Sequence, residues 1–238
     1  MTKNPDIFGI AFKDFLNGEV DGTIYIKTNV AGIEKLPVMY FFRGEEELPD
    51  WEKLALGMAK GRVLDVGAGA GSHALILQSK GLDVVGLDIS PGAVEIMKER
   101  GVTNTVLMDF HEYKDEQKFD TLLFLMNGLG VAGKLSGLKK TLMHCHELIN
   151  PNGMIILESS DLIYLYEDED GSAVIDLASN YYGEVKYTLS YKDHVGNPFD
   201  WLFVDYDNLE EVSDNCGFIA ELVYQGDNFN YLAVLRKK

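Results

Sequence analysis

The 238-residue sequence predicts an α/β fold, a doubly wound sheet of parallel strands closed at one edge by an antiparallel hairpin. Three observations carry that expectation. Short, nearly continuous apolar runs alternate with helical stretches from residue 62 onward. A glycine-rich turn, LDVGAGAG at 64–71, joins the first of these runs to the first helix. The last two runs have almost nothing between them. Strands covered on both faces lose the in–out alternation of a half-exposed sheet, so continuous apolar character signals parallel pairing.

The expected parallel strands are 62–68, 83–89, 104–110, 118–127 and 153–160. Among the helices between them, 71–80 ends at Gly81, while 91–100 opens on Pro91 and ends at Gly101. Those are the residues that start and stop helices. Leu135, Leu138, Leu142, Cys145 and Ile149 recur at spacings of three and four, which predicts a helix over 135–149 with one apolar face. Pro151-Asn152-Gly153 should break it. Strands joined by helices make right-handed crossovers. After a helix at 207–216, the runs 218–227 and 230–237 are too close for a crossover and must form a hairpin, giving seven strands.

Two segments fall outside this pattern. Residues 1–61 hold strand-like runs at 23–27 and 37–42 and a helix near 50–60, and are expected to cap the main domain, 62–238. Residues 161–206 are far longer than the ~2–6 residues of a strand-to-helix loop. Within them Val185, Tyr187, Leu189 and Tyr191 alternate with polar residues, the pattern of a half-buried strand, and 199–206 can return as its partner after Gly196-Asn197-Pro198. Insertions after a strand's carboxyl end overhang the crevice of an open sheet. Both segments are therefore expected to wall one site.

Charge narrows the function. There are 38 acidic residues against 21 basic, a net −17 with a pI near 4.6, which argues against a phosphate backbone as partner. Between Glu158 and Asp214 lie 15 acidic residues against Lys186 and Lys192 alone. Such a run is either a solvated face or a field that draws in a cation. Cys145 and Cys216 are too few for a disulfide framework and point to a reducing, cytoplasmic compartment. Asp6 and Asp14 interrupt the first apolar stretch, unlike a signal peptide, and no run approaches the ~18 residues of a membrane span.

The loop is D-x-G-x-G-x-G, and its third glycine comes one place too early for a dinucleotide fingerprint. Asp65 beside the turn opposes a pyrophosphate and suits an ammonium group. At these residues the sequence resembles the class I S-adenosylmethionine-dependent methyltransferases, over about residues 60–238. The resemblance implies a Rossmann-like fold and S-adenosyl-L-methionine as cofactor. By that likeness Asp65, Gly67, Ala68, Gly69 and Gly71 cradle its amino-acid portion. Asp88, followed by Ile89, accepts both ribose hydroxyls. Asp109 takes the adenine edge, with Phe110 or Met108 on the ring, and Asn127 and Gly128 line the methyl path. Arg43 in the run YFFR is expected to close over the cofactor and meet its carboxylate.

No catalytic base is evident, and no metal site is expected. His144 and His146 face apart on their helix, His73 is either near the cofactor's methionine end or a packing residue, and His111 and His194 stand alone in loops. The N/D-P-P-Y/F motif of nucleic-acid amino-methylating enzymes is missing, which together with the charge favours a small-molecule acceptor, an amine in particular. Tyr187, Tyr191, Phe199 and Trp201 either offer aromatic faces to it or form the packed side of the hairpin. Two rivals remain: a module that binds the cofactor without chemistry, and a nicotinamide-dependent oxidoreductase, which the loop spacing and terminal hairpin oppose.

Overall fold

The computed structural model describes residues 4–166 and 180–238. The central sheet contains β3 (Arg62–Val66), β4 (Asp83–Asp88), β5 (Asn104–Leu107), β6 (Phe119–Phe124), β7 (Ile149–Ser160), β11 (Phe218–Gln225) and β12 (Asn230–Lys237). Their spatial order is β11-β12-β7-β6-β3-β4-β5. Neighbours from β7 through β5 run parallel, and only β12 is reversed, antiparallel to both β7 and β11. The expected seven-stranded sheet with its closing hairpin is therefore present.

Helices cover both faces, as the apolar strands require. One face packs Leu64, Leu122, Phe124 and Leu157 under α5 (Leu135–Leu148) and α6 (Tyr206–Asn215). The other packs Val63, Leu123 and Ile156 under α2 (Asp50–Met58), α3 (Ser72–Ser79) and α4 (Pro91–Arg100). The Pro151–Gly153 breaker does not form a separate loop. The chain is already extended at Ile149, and the residues become an irregularity in the pairing of β7 with β6.

The two outlying segments join each other. β1 (Thr23–Lys27) and β2 (Ile33–Pro37) form a hairpin, and β1 also pairs with β8 (Glu184–Tyr191), Ile26 lying opposite Leu189. β10 (Phe199–Leu202) returns along β8 as expected, and the short β9 (His194–Val195) sits at its end. The result is a second, antiparallel sheet, β10-β8-β1-β2. The run 37–42 is not a strand. Pro37 ends β2, and Val38–Phe42 coils into a 3-10 turn that buries Val38 and packs Phe41 and Phe42 against Phe12.

One helix went unanticipated, α1 (Ile7–Leu16), which buries Ile7, Ala11 and Phe12. Asp6 caps it, accepting from Gly9 N at 3.0 Å. The same carboxylate accepts from Ser90 Oγ at 2.7 Å and Gly92 N at 2.8 Å, at the start of α4. The helices touch at Gly9 and Gly92, where either Cβ would collide with the opposite backbone. One side chain thus satisfies donors at two helix N-termini. Asp6→Ala should cost about 2 kcal/mol, lowering the melting temperature by about 4–8 °C. A thermal melt equal to wild type would show that Asp6 does not fasten the N-terminal helix.

Candidate active site

The glycine loop leaves the carboxyl end of β3 with Gly67, Gly69 and Gly71 at φ of +71°, +57° and +82°, a left-handed backbone that only glycine adopts cheaply. Gly67 N and Ala68 N donate to Leu87 O at 2.9 and 3.0 Å. Gly69 N donates to Asp88 Oδ2 and Ser90 N to Asp88 Oδ1, each at 2.8 Å. One carboxylate therefore holds the loop and the start of α4 together, and each of its oxygens retains an acceptor position. Burial pushes the Asp88 carboxyl up in pKa, against the pull of those backbone donors. A Cβ at Gly71 would press on Val102 and Met97 at 2.8 and 2.9 Å, so that glycine serves packing. One at Gly67 would meet no atom within 4 Å. That flank is open space.

Asp65 lies beneath the loop, 2% exposed, with Oδ2 lacking a hydrogen-bond partner. Burial pushes its carboxyl up to about 6, although His73 pulls it back down. Beyond Asp88, Ile89 stands 67% exposed at the crevice edge. At the end of β5, Asp109 caps a short turn by accepting from His111 N at 2.8 Å. Phe110 is turned inward, edge-on to Phe124 and His144, whereas Met108 is exposed. Of the two side chains expected on a ring here, only Met108 faces outward.

After β6, Met126 and Asn127 take positive φ values of 52° and 55°. Two such non-glycine residues in succession mark a strained turn of the kind found at functional sites. Asn127 is buried. Its Nδ2 donates to Leu202 O at 3.2 Å, while its Oδ1 has no partner. Trp201 of β10 lies against Gly130, just past Gly128 and the turn.

The N-terminal segment roofs the loop. Ser72 Oγ donates to Phe41 O at 2.7 Å, and Arg100 Nη1 to Ala70 O at 2.6 Å, with the guanidinium over the Phe42 ring. Arg43 Nη2 meets both oxygens of Glu52 at 3.0 and 3.1 Å, and Glu52 Oε2 meets His73 Nε2 at 2.7 Å. Arg43 is thus already engaged inside the protein. Glu158, on β7, accepts from Met126 N at 2.9 Å, and burial pushes its carboxyl up to about 7. Sequence reasoning missed Glu52 and Glu158, since their partners lie far off in the chain. The one signal for Glu52 is that it shares the buried face of α2 with Ala55 and Leu56. No group of three or more possible metal ligands comes together among the described residues.

Burial alone would lower the His73 pKa, but the Glu52 hydrogen bond and the Asp65 and Glu52 charges outweigh it and raise it above 6.5. The Glu52 pKa is lowered: burial opposes this, and His73 and Arg43 prevail. The His73 contribution to stability is therefore complete below pH 6.5 and fades as pH climbs through its raised value. The Glu52 contribution is complete above 4.5 and fades as pH falls through its lowered value. Glu52→Gln should shift the His73 imidazole titration to lower pH by NMR and destabilise the fold by about 3–5 kcal/mol, as breaking a buried pair does. An unmoved titration would show that the pair does not control His73.

Residues 63–153 match a family described as "Methyltransferase domain". An uncharacterized methyltransferase of Staphylococcus carnosus is 26% identical over 181 residues, 75% of this chain and 80% of that protein. Among solved structures, the CcbJ methyltransferase of Streptomyces caelestis, at 18% identity, shares the fold with a TM-score of 0.61, covering 82% of this chain and 92% of its own. A SAM-dependent methyltransferase from Bacteroides fragilis, in complex with S-adenosyl-L-homocysteine, superposes with a TM-score of 0.90. It is 40% identical, over 98% of this chain and 94% of that one. Identity of that extent across nearly all of both chains shows that the protein belongs to the S-adenosylmethionine-dependent methyltransferases.

Proposed function

We propose that this methyltransferase acts on a small amine, and that its cofactor lies across the glycine loop with its ribose on Asp88. The residues at the loop fit such a ligand. Asp65 Oδ2 lacks a donor, Gly67 has an open flank, and Asp88 keeps two acceptor positions. A cationic, hydroxyl-bearing molecule supplies what each is missing. Ile89 and Met108 offer apolar faces for the adenine and Asp109 a polar edge, while Phe110 supports that wall from the core. Ala68 and Gly69 supply backbone, and Gly71 lets the helix follow closely.

When bound, S-adenosyl-L-methionine supplies a methyl group already activated by its sulfonium. The chain's own task is to orient an acceptor in line and keep water away. Asn127 is the observation that carries the amine reading. Its Nδ2 is pinned to Leu202 O, which leaves Oδ1 buried without a donor. An unmet buried acceptor costs about 1–3 kcal/mol, and an amine brings the N–H that removes that cost. An ionised oxygen or thiolate brings none. The acidic insertion supports the same choice, although Glu167, Asp168, Glu169, Asp170 and Asp176 lie outside the described residues. No helix among the described residues is long and apolar enough to cross a membrane. Both cysteines are free thiols, in keeping with a cytoplasmic enzyme.

Two measurements test this. Asp88→Ala should weaken S-adenosyl-L-homocysteine binding at least about 100-fold by calorimetry, because it removes the ribose acceptor together with the tie on Gly69 N and Ser90 N. Equal affinity would reject the ribose assignment. In a screen of small amines against matched carboxylates, methylation should appear with amines. A negative field favours the protonated amine, which has no lone pair to attack, so the rate should rise with pH until the bound nitrogen is free base. Turnover confined to carboxylates would overturn the amine reading.

A further inference from the structure

Between the two sheets lies a cavity of about 130 Å³. It is lined by Ser160 and Leu162, where the chain runs on past the carboxyl end of β7, by Tyr187 and Phe203 of the insertion, and by Tyr164 and Glu34. A cavity of roughly 150 Å³ holds a benzene molecule, so this one takes a head group of about that size.

Glu34 is the unexpected member. Opposed residues of an antiparallel pair share a face, and the register sets Glu34 opposite Ile26, and Ile26 opposite Leu189. By strand alternation Tyr187 belongs to the same inner row. Glu34 is solvent-exposed, so its carboxylate stands at the open end of this row of apolar and aromatic side chains, and no ion pair of Glu34 occurs among the described residues. Lys35 and Lys186 alternate to the opposite face, where Lys186 lies 3.8 Å from Asp200. Among the described residues no lysine, arginine or histidine lines the cavity, and the charged one that does is Glu34. Tyr164 stacks on Phe229 with ring centroids 5.3 Å apart, and Tyr187 lies 6.2 Å from Phe203, so the rings are held in place. Burial, and secondarily the Glu34 charge, raises the Tyr187 pKa, keeping its ring neutral. A carboxylate beside fixed aromatic rings is chemistry for an organic cation.

The cavity is set back from the methyl path. Glu158 touches Met126 N, and Ser160 is two strand residues further on, about 7 Å. We propose that this cavity is a recognition subsite of the acceptor, in which Glu34 and the rings of Tyr164 and Tyr187 hold a cationic group separate from the nitrogen that is methylated. This rests on the amine reading and removes a difficulty in it. A second positive centre lets the acidic site attract the acceptor while the attacking nitrogen stays neutral.

The probes are three molecules of similar shape: tetramethylammonium, neutral tert-butanol and anionic pivalate, titrated by NMR in the presence of S-adenosyl-L-homocysteine. Tetramethylammonium should bind most tightly and shift the Tyr164 and Tyr187 ring resonances. Glu34→Gln should weaken it about 2- to 5-fold and leave tert-butanol unchanged. Ala31→Leu, which fills the cavity from the tip of the β1–β2 hairpin, should weaken both. Preference for pivalate, or a cation affinity indifferent to Glu34→Gln, would overturn the subsite. The same variants are then assayed with whichever amine the acceptor screen finds. If that amine's KM is unmoved by both, the subsite fails while the amine reading stands. If wild-type enzyme methylates only carboxylates, the amine reading fails and takes the subsite with it.

Discussion

The Asp88 carboxylate is the tie on which the crevice depends. A loop of three left-handed glycines has little of its own to hold its shape, and the donors at the start of α4 need acceptors. Asp88 answers both, through Gly69 N and Ser90 N. With the loop fixed, its flanks become docking points. Phe41 O receives Ser72, Ala70 O receives Arg100, and Asp6 reaches Ser90 and Gly92. The N-terminal segment is thus built onto the glycine loop, and the second sheet follows because β1 is at once its strand and the continuation of α1.

Electrostatics sharpen the picture. Burial drives the Asp65 and Glu158 carboxyls upward to about 6 and about 7. Arg43 and His73 do not relieve them fully, since Glu52 lies between these two cations and engages both. The crevice is left with more buried acceptors than donors, a setting that favours a ligand bringing positive charge and N–H groups.

Local chemistry made much of this readable in the chain. Pro91 and Gly101 bracket α4, the apolar runs give the central strands, and the glycine spacing marks the turn from β3 into α3 beside which Asp65 and Asp88 come together. What stayed hidden depends on distant partners. The helix at 7–16 is not legible in the sequence, because its apolar residues gain meaning only against α4 and the second sheet. Residues 37–42 have the composition of a strand, yet Val38 and Phe42 are drawn into a core built by α1. The joining of β1 to β8 links positions more than 160 residues apart, and neither strand announces it. Glu52 looks like a surface charge until the fold places it between His73 and Arg43, the guanidinium that the sequence assigns to a cofactor carboxylate. Phe110 sits beside Asp109 in sequence, but the end of β5 turns its ring toward Phe124.

The most direct measurement is a crystal structure of the protein with S-adenosyl-L-homocysteine. The ribose hydroxyls should both lie on Asp88, the amino group should reach Asp65, and the sulfur should face Asn127 and the cavity beyond it. A ribose held away from Asp88, or a sulfur turned from the end of β6, would contradict this arrangement of the site.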